Sequence, residues 1–120
     1  MRIAITAQGM DLDSEMDPRF GRCARFLIVD TDTMNFEVLE NTQVLDLPQG
    51  AGIQAAQNVI AQRPEAVLTG YCGPKAFKTL QAAGIPVFMG LKGRIRDVVK
   101  DHLEGKHQAA SDANVEGHWV

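Results

Sequence analysis

Residues 66–88, AVLTGYCGPKAFKTLQAAGIPVF, constrain the chain more than any other stretch. Residues 66–69 form a short apolar run whose length suits a buried strand. Gly70, Tyr71, Cys72 and Gly73 interrupt it. Pro74 then stands where a helix begins, a position at which its missing N–H and fixed φ cost nothing. Ala76, Phe77, Leu80 and Ala83 follow at spacings of three and four, so they share one buried helical face. Gly84 predicts the end of that helix, and residues 85–88 the next strand. A strand–helix–strand crossover is right-handed, which makes the two strands parallel. The glycine turn aims unclaimed backbone N–H groups at whatever lies beyond the strand end.

The rest of the chain extends this unit. Residues 2–7 alternate and predict a first strand. Residues 25–30 (RFLIVD) and 35–40 (NFEVLE), separated by a turn at 31–33, predict an antiparallel hairpin. Gly50 and Gly52 open a helix that carries Ile53, Ala56, Val59 and Ile60 on one face, and Arg63-Pro64 ends it. A last helix is expected from about Arg94 to Leu103, with Ile95, Val98, Val99 and His102 inward. Residues 41–49 form a polar connection. Residues 106–120 lack periodicity and are expected to be a flexible tail. At 120 residues the chain supports one core, here a single domain over residues 1–105. The expected fold is α/β, a mixed five-stranded sheet of order 3-2-1-4-5 with strand 2 antiparallel and about three helices, as in ribonuclease-H-like sheets.

This topology collects one edge. If strand 1 points up, the upper edge holds the loop 8–21, Cys23, the 41–52 connection, and the turns at 70–73 and 89–93. All three helix starts lie there too, each offering about half a positive charge and unpaired N–H donors. Ligands of open α/β sheets bind beyond the strand carboxyl ends. The edge should favour an anion. The candidate binding residues are Arg19, Gly21, Arg22, Gly50, Gly52, Gly70, Tyr71, Cys72, Gly73 and Gly90. Cys72 and Cys23 are the candidate metal-ligating thiols, since thiolates suit soft metals. Met10, Met16 and Met89 are soft groups near the same edge, although packing accounts for methionines more commonly. The loop 8–21 is long for so small a domain and is expected to be mobile when empty and to order around a ligand.

Other functions are disfavoured. A net charge of −3 leaves no basic excess to neutralise phosphates, so no nucleic-acid partner is expected. No stretch approaches the ~20 apolar residues of a membrane span, no membrane association is expected, and the amino terminus lacks a secretory pattern. A cytoplasmic home follows. The two cysteines form no CxxC pair and suggest free thiols. None of the glycine sites is GxGxxG or Walker A. The acidic residues Asp11, Asp13, Glu15 and Asp17 tempt a nuclease reading. Nucleases built on ribonuclease-H-like sheets place carboxylates on strand 1, helix 1 and the end of strand 4 to hold two metal ions, and here IAITA, GIQAAQNVI and AVLTG carry none. His102, His107 and His118 fit no compact ligand spacing. Absence of a nucleophile–base pair makes an enzyme less favoured than a binding protein. A small-anion-binding enzyme and a protein-interaction module using the same edge are the alternatives.

The segments MDPRFGRCARFLIVD (16–30), GAGIQAAQ (50–57), TGYCGPKAFKTLQAAGIPVF (69–88) and GRIRDVVKDHLEGK (93–106) resemble, in this order, the dinitrogenase iron–molybdenum cofactor biosynthesis proteins of the NifX and NifB carboxyl-domain type. The resemblance implies a ribonuclease-H-like fold and non-catalytic carriage or assembly of an anionic metal–sulfur cluster. A stand-alone chain of this length with Cys72 is similar to members that hold a molybdenum–copper sulfide cluster non-covalently. It also implies a partner protein in cluster assembly or delivery. This chain has Arg19 where family members often carry histidine, so a histidine ligand is not expected there.

Overall fold

The computed structural model describes residues 1–41 and 50–113. The elements run β1 (Arg2–Ala7), β2 (Arg25–Asp30), β3 (Asn35–Glu40), α1 (Ala51–Ile60), β4 (Ala66–Leu68), α2 (Pro74–Ala82), β5 (Val87–Phe88) and α3 (Ile95–Leu103). They form an α/β fold whose five-stranded mixed sheet has the order β3-β2-β1-β4-β5. β2 lies antiparallel to β1 and β3, with Arg2 opposite Asp30 and Ala7 opposite Arg25. β4 is parallel to β1 and to β5. This is the order, orientation and helix content that the sequence predicts.

Strand alternation divides the core in two. Ala4, Phe26, Ile28, Val67 and Val87 face α1 and α2 and meet Ala55, Ala56, Val59, Ala76, Phe77 and Leu80. Ile3, Ile5, Leu27, Val29 and Leu68 face α3 and meet Ile95, Val98 and Val99. Phe77 and Leu80, both buried, each contribute about 1.5–3 kcal/mol by leaving water. Of the apolar spacing read for this helix, Ala76, Phe77 and Leu80 form its core face, whereas Ala83 is the exposed residue that caps its end.

Two boundaries are tighter than the sequence pattern suggests. β5 begins at Val87 because the Ile85 N–H turns back to Leu80 O at 3.1 Å, closing α2, and Pro86 has no N–H for a ladder. Thr69 lies just past β4, its N–H donating to Phe88 O at 2.9 Å. Of the segment read as a tail, residues 106–113 are described. The Ala110 N–H donates to Val87 O at 2.8 Å, and Ala110 and Ala113 pack against the α1–α2 side of the core. Residues 114–120, with His118, and residues 42–49 of the polar connection lie outside the described residues.

The start of that segment has a pH signature. The His102 ring meets Phe88 edge-on at 4.6 Å and stacks with His107 at 5.6 Å. Both Nδ1 atoms are buried without a hydrogen-bond partner. Burial, and then the charge of His107, hold His102 below the usual histidine range. The unfolded chain therefore binds a proton more readily than the folded one, so stability rises with pH across this interval. Stability is complete above about pH 6.5 and falls as acid protonates the unfolded state first. Melting wild type and H102Q at pH 7 and pH 5 should show a smaller acid-induced drop in the variant. Equal drops would show that His102 carries none of the effect.

Candidate functional site

The parallel strands β1, β4 and β5 end on one edge, and the chain crosses it between Ala7 and Arg25. Backbone bonds fold this crossing onto the sheet: Gln8 N–H to Glu15 O at 3.0 Å, Asp17 N–H to Thr6 O at 3.0 Å, and Met16 N–H to Gly93 O at 2.8 Å. Thr6 and Thr69, fully buried at the ends of β1 and β4, lie beneath. Thr6 Oγ1 donates to Asp17 O at 2.6 Å and lies 3.2 Å from Thr69 Oγ1. The buried Asp17 carboxylate accepts the N–H groups of Arg19 at 3.0 Å and Ala24 at 3.3 Å. Such bonds satisfy a carboxylate that would otherwise be costly to bury. Asp17 thus closes the arginine loop through its backbone.

The loop meets the glycine turn at main-chain distance. Tyr71 N–H donates to Pro18 O at 2.6 Å and Phe20 N–H to Tyr71 O at 3.0 Å, making a short parallel bridge between Arg19 and Tyr71. A Cβ on Gly70 would lie 2.6 Å from Pro18 O and 3.0 Å from Pro18 Cα. No side chain fits there. On the other flank, a Cβ on Gly21 would lie 3.0 Å from Gly52 Cα in the first turn of α1. Gly90 N–H donates to Gly70 O at 2.8 Å, which ties the turn after β5 to the one after β4. Gly50 is the left-handed cap of α1, and Gly73 accepts the first α2 bond from Phe77 N–H at 3.0 Å. The structure thus gathers Arg19, Gly21, Arg22, Gly50, Gly52, Gly70, Tyr71, Gly73 and Gly90 at one edge, where Arg19 and Tyr71 are exposed.

The helix starts are not equivalent. Ile95 N–H donates to Ser14 O at 2.9 Å and Arg96 N–H to Leu12 O at 2.8 Å. The loop has taken the first donors of α3. Positive end charge for a ligand comes chiefly from α1, whose first N–H groups have no helical acceptor, and from α2 after Pro74. On the loop's outer side Arg96 Nε bonds Asp13 Oδ1 at 3.0 Å. That hydrogen bond, and then the Arg96 charge, hold the Asp13 carboxyl below its usual range.

The two thiols are placed differently from the arginines. Cys23 and Cys72 are fully buried within the α1–α2 side of the core. Burial pushes the Cys72 thiol up to about 12. Burial, and then the negative Asp17 nearby, raise Cys23 further. Cys23 Sγ instead donates to Phe20 O at 3.2 Å. A thiol must lose its proton to ligate a metal, and here both environments oppose that. Among the described residues no three or more His, Cys, Asp or Glu side chains converge on a point where they could hold a metal ion. The donor set fits a preformed anion met by N–H groups and guanidinium better than a bare metal ion.

Sequence reasoning missed Thr6, Thr69 and Asn41, the buried polar residues under this edge, and weighed Asp17 only with the acidic residues of the loop and their possible partners, not as a buried acceptor of backbone N–H groups. The signal available was a polar residue at each strand end, Thr6 before Ala7, Thr69 after Leu68 and Asn41 after Glu40. The isolated bridge between Glu15 and Arg94 was also not foreseen.

The family model described as dinitrogenase iron-molybdenum cofactor matches residues 1–105. The apo form of the orange protein from Desulfovibrio gigas is 47% identical, with 95% of this chain and 96% of that chain covered and a TM-score of 0.92. A candidate NifB protein from Thermotoga, solved by NMR, is 33% identical over 97% of this chain and 98% of its own, with a TM-score of 0.81. An uncharacterized protein of Methanocaldococcus jannaschii is 31% identical over 97 residues, 78% of this chain and 81% of the relative.

Proposed function

The chain belongs to the dinitrogenase iron-molybdenum cofactor family, and on that premise we propose that it binds and carries an anionic metal–sulfur cluster containing molybdenum, a molybdenum–copper sulfide, without catalytic turnover. The cluster is held non-covalently at the edge where the arginine loop meets the glycine turns. One observation carries the reading: the loop bearing Arg19 and Arg22 is hydrogen-bonded onto the turn at Tyr71 and seated against the first turn of α1. This brings two arginine positions, the first turn of α1 and an exposed tyrosine to one edge. Such an arrangement recognises a large, delocalised anion by charge and hydrogen bonds. The likeness to the orange protein, known in an apo form, supports a group that enters and leaves. A carrier of this kind hands its cargo to a partner protein in cluster assembly or delivery, in the cytoplasm.

The test is the visible spectrum and elemental analysis of native protein, followed by reconstitution with tetrathiomolybdate and copper(I). A coloured, molybdenum-containing protein that survives gel filtration is expected. Rising salt should weaken the complex, because charge contributes to it. A colourless, metal-free preparation that cannot be reconstituted would sink the proposal.

A further inference from the structure

We infer that Asn41 is the positioning residue for Arg22, an inference that rests on the cluster reading of this edge. Asn41 follows β3 directly and is 1% exposed. Its Nδ2 donates to Gly21 O at 3.3 Å and to Cys23 O at 3.0 Å, the carbonyls on either side of Arg22. The same nitrogen lies 3.7 Å from Cys23 Sγ, and the Asn41 backbone N–H donates to Ala24 O at 3.1 Å. One side chain from another strand therefore fixes the backbone on both sides of an arginine. The first residue of that pair, Gly21, is in turn pressed on Gly52 of α1.

The chemistry requires an amide. Both partners are carbonyl acceptors, so the group beneath must present two N–H bonds from one atom, which an asparagine nitrogen does and a carboxylate cannot. Asn41 is not needed for the core packing of β3, whose side chains are largely exposed. Its placement answers a different need. An arginine on a wandering loop loses affinity to the cost of ordering it, and a backbone fixed beforehand avoids that loss. Asn41 thus acts on the ligand through Arg22 without touching it.

The experiment is a double-mutant cycle of N41A and R22A, read by retention of the tetrathiomolybdate–copper(I) product, with amide hydrogen exchange on the unloaded proteins. R22A should weaken retention about tenfold, as expected for one charge-assisted contact. N41A should weaken it about fivefold, and the double variant should match R22A within about twofold, since the two act as one unit. Exchange at the Arg22 and Cys23 amides should quicken about tenfold in N41A. Independent, multiplying losses would overturn the proposal, as would unchanged exchange at Arg22. If the wild type retains no cluster, the cluster reading falls, and the exchange result alone decides the hold of Asn41 on Arg22. Should N41A fail to fold, N41S keeps one donor and serves the same comparison.

Discussion

Reversing the charge of both loop arginines, R19E/R22E, is expected to weaken cluster retention by at least about 100-fold, whereas C23S/C72S should keep a coloured complex within about tenfold of wild type. Each arginine–anion hydrogen bond contributes roughly 1.5–3 kcal/mol, and two together amount to more than two decades in affinity. Reversal adds repulsion to that loss. The sulfurs offer no comparable term, being fully buried and held protonated, Cys72 with its thiol near 12. At Cys23 the serine hydroxyl keeps a donor for Phe20 O, the present partner of Sγ. Reconstitution followed by absorbance after gel filtration compares the two variants directly. Loss of all colour in the serine variant with colour kept in the arginine variant would mean that sulfur holds the cluster.

The second large effect belongs to Gly70. Replacing it with alanine, G70A, places a methyl carbon 2.6 Å from Pro18 O and 3.0 Å from Pro18 Cα. Both are backbone atoms, so no side-chain rotation relieves the clash. The loop must lift from the turn, which strains the bonds from Tyr71 N–H to Pro18 O and from Phe20 N–H to Tyr71 O. Overpacking of this kind costs about 1–3 kcal/mol, and two disturbed backbone bonds add about 0.5–1.5 kcal/mol each. The melting temperature should fall by roughly 10 °C or more for a domain of this size. G84A is the control: Gly84 has positive φ but nothing within 4 Å of a Cβ, so its cost is backbone strain without separation of the loop. Cluster retention should fall in G70A and persist in G84A. Intact retention in a folded G70A protein would remove the loop–turn junction from the site.

Most of the fold was legible because its signals are local. The 66–88 unit carries its own strand, turn and helix chemistry, and the hairpin of β2 and β3 announces itself by alternation. The parallel order then follows from handedness. The edge was legible for the same reason, since glycines and helix starts lie at the strand ends by topology. What stayed hidden depends on approach distances between remote segments. Gly70 reads as a turn former, yet its φ is not positive; its need is the closeness of Pro18. The loop 8–21 shows few anchors in the sequence, but it bonds to Gly93 and to the first turn of α3, partners about 80 residues away in the chain. Asp17 and Asn41 look like surface polar residues until their backbone partners are in place. The thiols share the sequence neighbourhood of the site and yet point into the core, because neither side chain direction is encoded in spacing.

The order in which the chain is made gives those remote anchors a further meaning. The loop holding Arg19 and Arg22 is synthesised well before Gly93, Ile95 and Arg96, whose backbone groups secure it through Met16, Ser14 and Leu12. A nascent chain stopped before residue 93 would carry both arginines without the clasp that seats their loop. On the proposed reading, cargo loading would wait until the segment through α3 has left the ribosome and closed on the loop. Arrested chains ending at residue 90 should fail to retain the cluster, and chains extended through the last helix and beyond the ribosomal exit should retain it.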